Sequence, residues 1–337
     1  MVFRYRAKGI WLVLALVLLL AFGPVRSLVA GSYPERPIKL IVPWAPGGDT
    51  DAVMRIFSGY MSDALGQWVQ VVNVKGGSGT VGARKAKNAR PDGYTLFSGH
   101  ESVITTYMTG ISDFNWDVYE PVCLVTSTPS VIAAYPGTPY RTFRDVLNTA
   151  KKEPNTIKFG ATIGSTSQFF PLMVEHAAGI KFRFVSYEGT APRMRALIGG
   201  HIDLAETNIP GGKEYLEAKK LRLLAIATKK RSKELPNVPT LKELGVNITY
   251  AVNRGWFAPK GTPEPILRKL EQACEQVTKA DKLAKKFKKY RKFRVAMRAF
   301  GTDVRFLNRR EYTKYLRNTT AEITQVAKLV GVYNPKK

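Results

Sequence analysis

Cysteine and histidine are nearly absent from this chain, which has two cysteines and three histidines in 337 residues. The cysteines are Cys123 and Cys274, and the histidines are His100, His176 and His201. No CxxC occurs and no histidines stand at HxxxH or HExxH spacing, so no metal site is expected. There is no GxSxG, which removes the usual strand-to-helix nucleophile. Ser165, Thr166 and Ser167 have no histidine close in sequence and read as helix caps and hydroxyl donors. His176 falls in a helical stretch and reads as a satisfied helix residue. Neither a catalytic constellation nor a cofactor is expected. Acids are also scarce, 26 against 52 lysines and arginines, giving a formal charge of +26. The only long apolar run, Ile10 to Phe22, is too short to span a bilayer comfortably. Low-complexity linkers and short repeats are lacking.

That apolar run follows Arg4, Arg6 and Lys8, and Ala30 offers a small residue for cleavage, although Leu28 is not the ideal residue two positions before it. Residues 1–30 therefore read as a secretory signal peptide, and no lipoprotein cysteine follows. An exported chain is free to pair Cys123 with Cys274, but spacing alone cannot show it. Cys274 falls on the apolar helical face of Ile266, Leu270, Ala273 and Val277, and the favoured reading is a buried small hydrophobe. Much of the positive excess lies in Lys279 to Arg294, KADKLAKKFKKYRKFR. It reads as a solvated helix with Leu283, Phe287 and Tyr290 as its buried stripe. No nucleic-acid motif accompanies it, and export removes most such partners, so no nucleic acid is expected.

What is present is an alternation of strands and helices, which argues an α/β fold with parallel sheets. Ile38 to Asp51, IKLIVPWAPGGDTD, reads as a buried strand, a glycine turn and a helix start. Asp49, Thr50 and Asp51 are all competent N-caps, and Gly66 closes the helix. Strands are expected at Trp68 to Val74, after Pro91, at Pro121 to Thr128, Ser130 to Tyr135, Ile157 to Gly160, Phe182 to Tyr187, Ile202 to Ala205, Leu221 to Ala227 and Arg254 to Ala258. Helices follow Gly82, Thr142, Ser165 and Thr190, the last as a cap, and two more finish the chain near Pro263 to Ala280 and Arg309 to Val330. The chain is expected to cross twice between two lobes. Gly77 to Gly82 matches GxGxxG with Glu101 19 residues on. The loop belongs to the second strand–helix unit rather than the first, and an exported protein is not supplied with a nicotinamide cofactor, so a dehydrogenase is set aside. What remains is a set of helix N-termini after Gly48, Gly164 and Gly189. Each offers free N–H groups and a positive dipole end suited to a carboxylate.

From Tyr33 nearly to the C-terminus, the chain resembles the Bug family, the periplasmic receptors of tripartite tricarboxylate transporters. The motifs that carry this are YPERPIKLIVPWAPGGDTD, NVKGGSGTVGA, PDGYTL, Tyr187 to Pro192, LIGGHIDL, LPNVPTLKELG and APKGTP. The resemblance implies a type II periplasmic-binding-protein fold with two α/β lobes around a hinged ligand cleft. Residues 31–132 and 251–337 would form one lobe and 133–250 the other. It implies a periplasmic, non-enzymatic, monomeric receptor that hands a small carboxylate to the transporter's membrane subunits. An exported enzyme acting on a small carboxylate is the alternative. Carried over by motif, one lobe would contact ligand through Ala45, Pro46, Gly47, Gly48, Asp51, Ser98 and Gly99. The other would use Gly164, Ser165, Thr166, Ser167, Tyr187, Gly189, Thr190 and Asn208. Asp51 is expected to brace its loop by accepting backbone hydrogen bonds. The chain departs from the family at Gln168, Glu188, Glu206 and Thr207. Arg254 is expected in the cleft, paired with a ligand carboxylate or, as the favoured structural pairing, with Glu206 or Glu188. If one of those acids stays free, the ligand carries a cationic part.

Overall fold

The computed structural model describes residues 33–279 and 291–336. The expected signal peptide, and most of the basic stretch from Lys279 to Arg294, lie outside the described residues. The first unit runs as the sequence suggests. Strand β1 (Ile38–Val42) is apolar at all but Lys39 and leads through a loop to helix α1 (Asp49–Leu65). The helix buries Val53, Met54, Phe57, Met61 and Leu65, one stripe at helical spacing. Gly66 ends it in the left-handed conformation, φ 69°, which glycine adopts without steric cost. Phe57 packs edge-on against Trp256 with ring centroids 5.1 Å apart, anchoring α1 to the sheet.

Then follow β2 (Val69–Asn73), a 3-10 turn at Gly77–Gly79, α2 (Thr80–Lys87), β3 (Thr95–Gly99), α3 (Ser102–Met108) and the long β4 (Tyr119–Pro129). Next come β5 (Val131–Ala134), α4 (Phe143–Lys152), β6 (Lys158–Ala161), α5 (Thr166–Ala178), β7 (Arg183–Ser186), α6 (Thr190–Ile198), β8 (Leu204–Thr207), α7 (Ile209–Glu217) and β9 (Arg222–Ile226). The chain closes with β10 (Ala251–Pro259), α8 (Glu264–Thr278), α9 (Arg291–Ala299), β11 (Asp303–Leu307) and α10 (Arg309–Leu329).

Among the described residues the strands form two sheets, ordered β11-β4-β10-β3-β1-β2 and β7-β6-β8-β5-β9. Each is the sheet of one lobe. The sheets are mixed, not parallel as the alternation suggested. β1 pairs in parallel with β2 and β3, but β10 runs antiparallel between β3 and β4. In the second sheet, β5 runs antiparallel to β8 and β9. The cause is the crossing itself: strands that leave or return to a lobe enter from the opposite end. Sheet membership changes between Pro129 and Val131 and again before Ala251. The two crossings lie side by side, with Ser130 N–H donating to Tyr250 O at 3.1 Å, and both bond to Ala227. Sequence reading missed α3, α7 and β11, and it ended the basic helix at Arg294, whereas α9 runs to Ala299. β11 is an edge strand with no fully buried side chain, so it carries little of the apolar pattern that marks a strand.

Cys123 on β4 and Cys274 on α8 are both fully buried and joined in a disulfide. Cys274 is thus buried as expected, but as half of a cross-link, not as a free hydrophobe. Position on the apolar face of α8 is what brings it against the sheet. No described helix is long and apolar enough to cross a membrane.

Candidate ligand-binding site

Three helix N-termini meet where the two lobes face each other. At α1 the cap is Gly48, with no side-chain capping bond, and Asp49 is the first helical residue. At α6 the cap is Gly189, φ 103°, so Thr190 is likewise inside the helix rather than its cap. Both shifts free a side chain that capping would have consumed. The two freed groups then meet: Thr190 Oγ1–H donates to Asp49 Oδ1 at 2.7 Å. Asn208, just after β8, donates its amide N–H to Asp49 Oδ2 at 2.7 Å. The Arg254 guanidinium completes the shell on the same oxygen. Burial pulls the Asp49 pKa upward, but Arg254, Asn208 and Thr190 outweigh it and hold the carboxyl well below the usual range. Asp49 is ionised at every physiological pH.

Arg254, on β10, is fully buried. Its Nε donates to Thr50 Oγ1 at 3.0 Å and a terminal nitrogen to Thr128 Oγ1 at 2.8 Å. Its acidic partner is Asp49, neither Glu206 nor Glu188. Those two acids are engaged elsewhere. Glu206 pairs with Arg193 at 2.8 Å and accepts from Ser130 Oγ at 3.0 Å. Burial pushes the Glu206 carboxyl up, and Arg193 opposes it. Glu188 reaches to the other lobe and accepts from Ser78 N–H at 3.2 Å. The GxGxxG loop therefore grips a carboxylate of its own chain.

The cavity between these groups is about 30 Å³, against several hundred Å³ for usual ligand pockets. Trp44, Asp49, Thr50 and His100 line it from one lobe, and Thr162, Arg193 and Glu206 are among the residues facing them. His100 Nδ1 accepts from Ser102 N–H at 3.2 Å, so Nε2 carries the proton and is the donor. Its ring stacks on Trp44, centroids 5.5 Å apart. Burial, and then the charge of Arg254, lower its pKa to about 3, so it stays neutral.

Of the residues expected from sequence, Ser165, Thr166, Ser167, Gly189 and Thr190 line this cavity. Ser165 caps α5 by accepting from Ser167 N–H, and Ser167 Oγ holds Thr162 N–H at 2.9 Å. Asn208 and Arg254 stand one bond behind, through Asp49. Gly48 faces α6, since a Cβ there would lie 3.7 Å from Ala191 N. A Cβ on Gly189 would lie 3.7 Å from Ala45 N, so Ala45 comes close without itself lining the cavity. Pro46 and Gly47 are exposed. Asp51 accepts from Gly47 N–H at 2.9 Å and Asn73 Nδ2 at 2.8 Å, bracing the loop from outside the cavity. Ser98 and Gly99 are buried within β3, and Gly164 packs on Ile111. Tyr187 contributes its carbonyl, which accepts from Thr162 Oγ1 at 2.6 Å.

Sequence reading missed Asp49, His100, Thr162 and Arg193 as members of the site, along with Trp44 and Val252, and it placed Glu206 there with the wrong partner, Arg254 instead of Arg193. One signal was available for Arg193. A cation in the first turns of a helix opposes the macrodipole, so its presence there calls for a buried acidic partner.

Comparison with known proteins agrees with this geometry. A family model described as tripartite tricarboxylate transporter family receptor matches residues 53–331. The Rhodopseudomonas palustris protein Rpa4515, solved with adipate, is 26% identical with TM-score 0.83, covering 89% of this chain and 99% of that one. MatC from the same organism, solved with malate, is 26% identical with TM-score 0.78, covering 88% and 100%. The periplasmic binding protein BugD is 29% identical with TM-score 0.79, covering 89% and 99%. With the match running over most of its length and two lobes closing on a carboxylate-holding cleft, this chain belongs to the receptor family of the tripartite tricarboxylate transporters, the solute-binding proteins of the Bug type.

Proposed function

We propose that this protein is a monomeric, non-enzymatic receptor of the periplasm that captures a small carboxylate between its lobes and delivers it to the membrane subunits of a tripartite tricarboxylate-type transporter. The observation that carries the reading is the hold on Asp49. The cleft already binds a carboxylate, through a hydroxyl, an amide and a guanidinium drawn from both lobes. Such donors suit an anion from solution equally well, and the relatives solved with adipate and malate bind ligands of that class. The buried disulfide fits an exported chain, because such bonds persist in oxidising compartments. Closure on ligand would give the transporter a distinct surface to recognise.

Isothermal titration of the purified protein with malate, adipate, citrate and a panel of amino acids tests this, followed by mass spectrometry of each ligand after overnight incubation. Binding of at least one carboxylate with its recovery unchanged is the expected result. Chemical conversion of a bound carboxylate would refute the receptor reading in favour of an enzyme.

A further inference from the structure

We propose that Asp49 is a resident carboxylate occupying the place a ligand carboxylate takes, so that ligand enters by displacing it from Thr190 and Asn208. The inference rests on the receptor reading above and names the residue that sets the threshold of that same site.

The argument begins with which lobe supplies each group. Asp49 opens α1 and Arg254 lies on β10, both in the lobe of the six-stranded sheet. Thr190 opens α6 and Asn208 follows β8, both in the lobe of the five-stranded sheet. At Asp49, parting the lobes breaks two hydrogen bonds from neutral donors and leaves the Asp49–Arg254 ion pair whole; away from it, it also breaks the bond from Ser78 N–H to Glu188. No buried charge is stranded, which is the costly outcome when ion pairs are split. The bridge is therefore built to open.

Once it opens, Thr190 and Asn208 present the same donors at the same spacing to any other carboxylate. The Thr190 hydroxyl is also 3.4 Å from a terminal nitrogen of Arg193, so an acid seated there meets a second guanidinium. With Asp49 in place the remaining cavity is about 30 Å³, too small for a dicarboxylate. A ligand and Asp49 thus cannot share the donors. Asp49 also opposes ligand in a second way, since it neutralises Arg254, which among the described residues is the cation on its side of the cleft that touches this shell. A short uncharged side chain at this position would leave both the lobe donors and the guanidinium to the ligand. The neutral His100 Nε2–H adds a donor without adding charge, so it does not change this balance.

Titration of malate and adipate into wild type and Asp49→Ser tests the proposal. The dissociation constant is expected to fall at least tenfold in the variant, or binding is expected to appear where wild type shows none. Asp49→Asn, which keeps the size of the side chain, should show a smaller gain and guards against misfolding of the serine variant. Small-angle scattering without added carboxylate should give a larger radius of gyration for Asp49→Ser than for wild type, shrinking when malate is added. Equal or weaker binding by both folded variants, with wild type binding normally, overturns the displacement proposal and leaves the receptor reading standing. Failure of wild type and both variants to bind any carboxylate overturns the receptor reading and this inference with it.

Discussion

Removing the Cys123–Cys274 cross-link should cost this protein a large part of its stability without unfolding it outright. The two residues are 151 apart in sequence. A loop of that length restricts the unfolded chain by about 5 kcal/mol at 25 °C in the chain-entropy model. That figure is comparable to the whole net stability of many domains, ~5–15 kcal/mol. The native state loses less. α8 still buries Leu267, Leu270 and Val277 against the sheet, so the helix stays docked without the bond. The double variant Cys123→Ala, Cys274→Ala is the cleanest perturbation, because both sites are fully buried and alanine leaves only small gaps. Urea denaturation of wild type and variant under oxidising conditions should show a midpoint shift corresponding to about 3–5 kcal/mol. The slope should be steeper for the variant, whose unfolded chain exposes more surface. A difference below about 1 kcal/mol, or two free thiols titrated in denatured, unreduced wild type, would refute the argument.

Two further outcomes concern the cleft. Because burial and Arg254 depress the His100 pKa from 6.5 to about 3, the unfolded chain takes up this proton first. The corresponding stability is complete above pH 6.5 and is lost as pH falls toward 3. By pH 4.5 the loss is about 3 kcal/mol, so wild type should weaken by that much more than His100→Gln between pH 7.5 and 4.5. Parallel stability curves by urea titration would rule this out. Arg193→Met should cost about 3–5 kcal/mol, since it leaves the buried Glu206 carboxylate without its cation. Chemical denaturation measures this, and a change under 1 kcal/mol would show that the pair contributes little.

The order of elements, the glycine stops and the stripe on α1 follow from local pattern, because a strand, a turn and an amphipathic helix each announce themselves within a few residues. Ser165 to Ser167, Gly189 and Thr190 were legible for the same reason: strand-to-helix turns carry small and hydroxyl residues wherever they lie. The motifs quoted above carry the family across the whole chain. Pairings over long distances were not legible. Asp49 looked like one of three equivalent caps, and only the fold shows that Gly48 takes the cap and leaves Asp49 to meet Thr190, 141 residues away. Arg254 gave no sign of choosing Asp49 over two other acids, since that choice depends on β10 returning antiparallel between β3 and β4. The cysteine pair, the mixed sheets and the charge network of the cleft share this origin. Sequence by itself determined the lobes' building blocks and the kind of receptor. The tertiary structure decided which charges face one another, because Coulomb and hydrogen-bond terms act through space and the folded chain alone sets those distances.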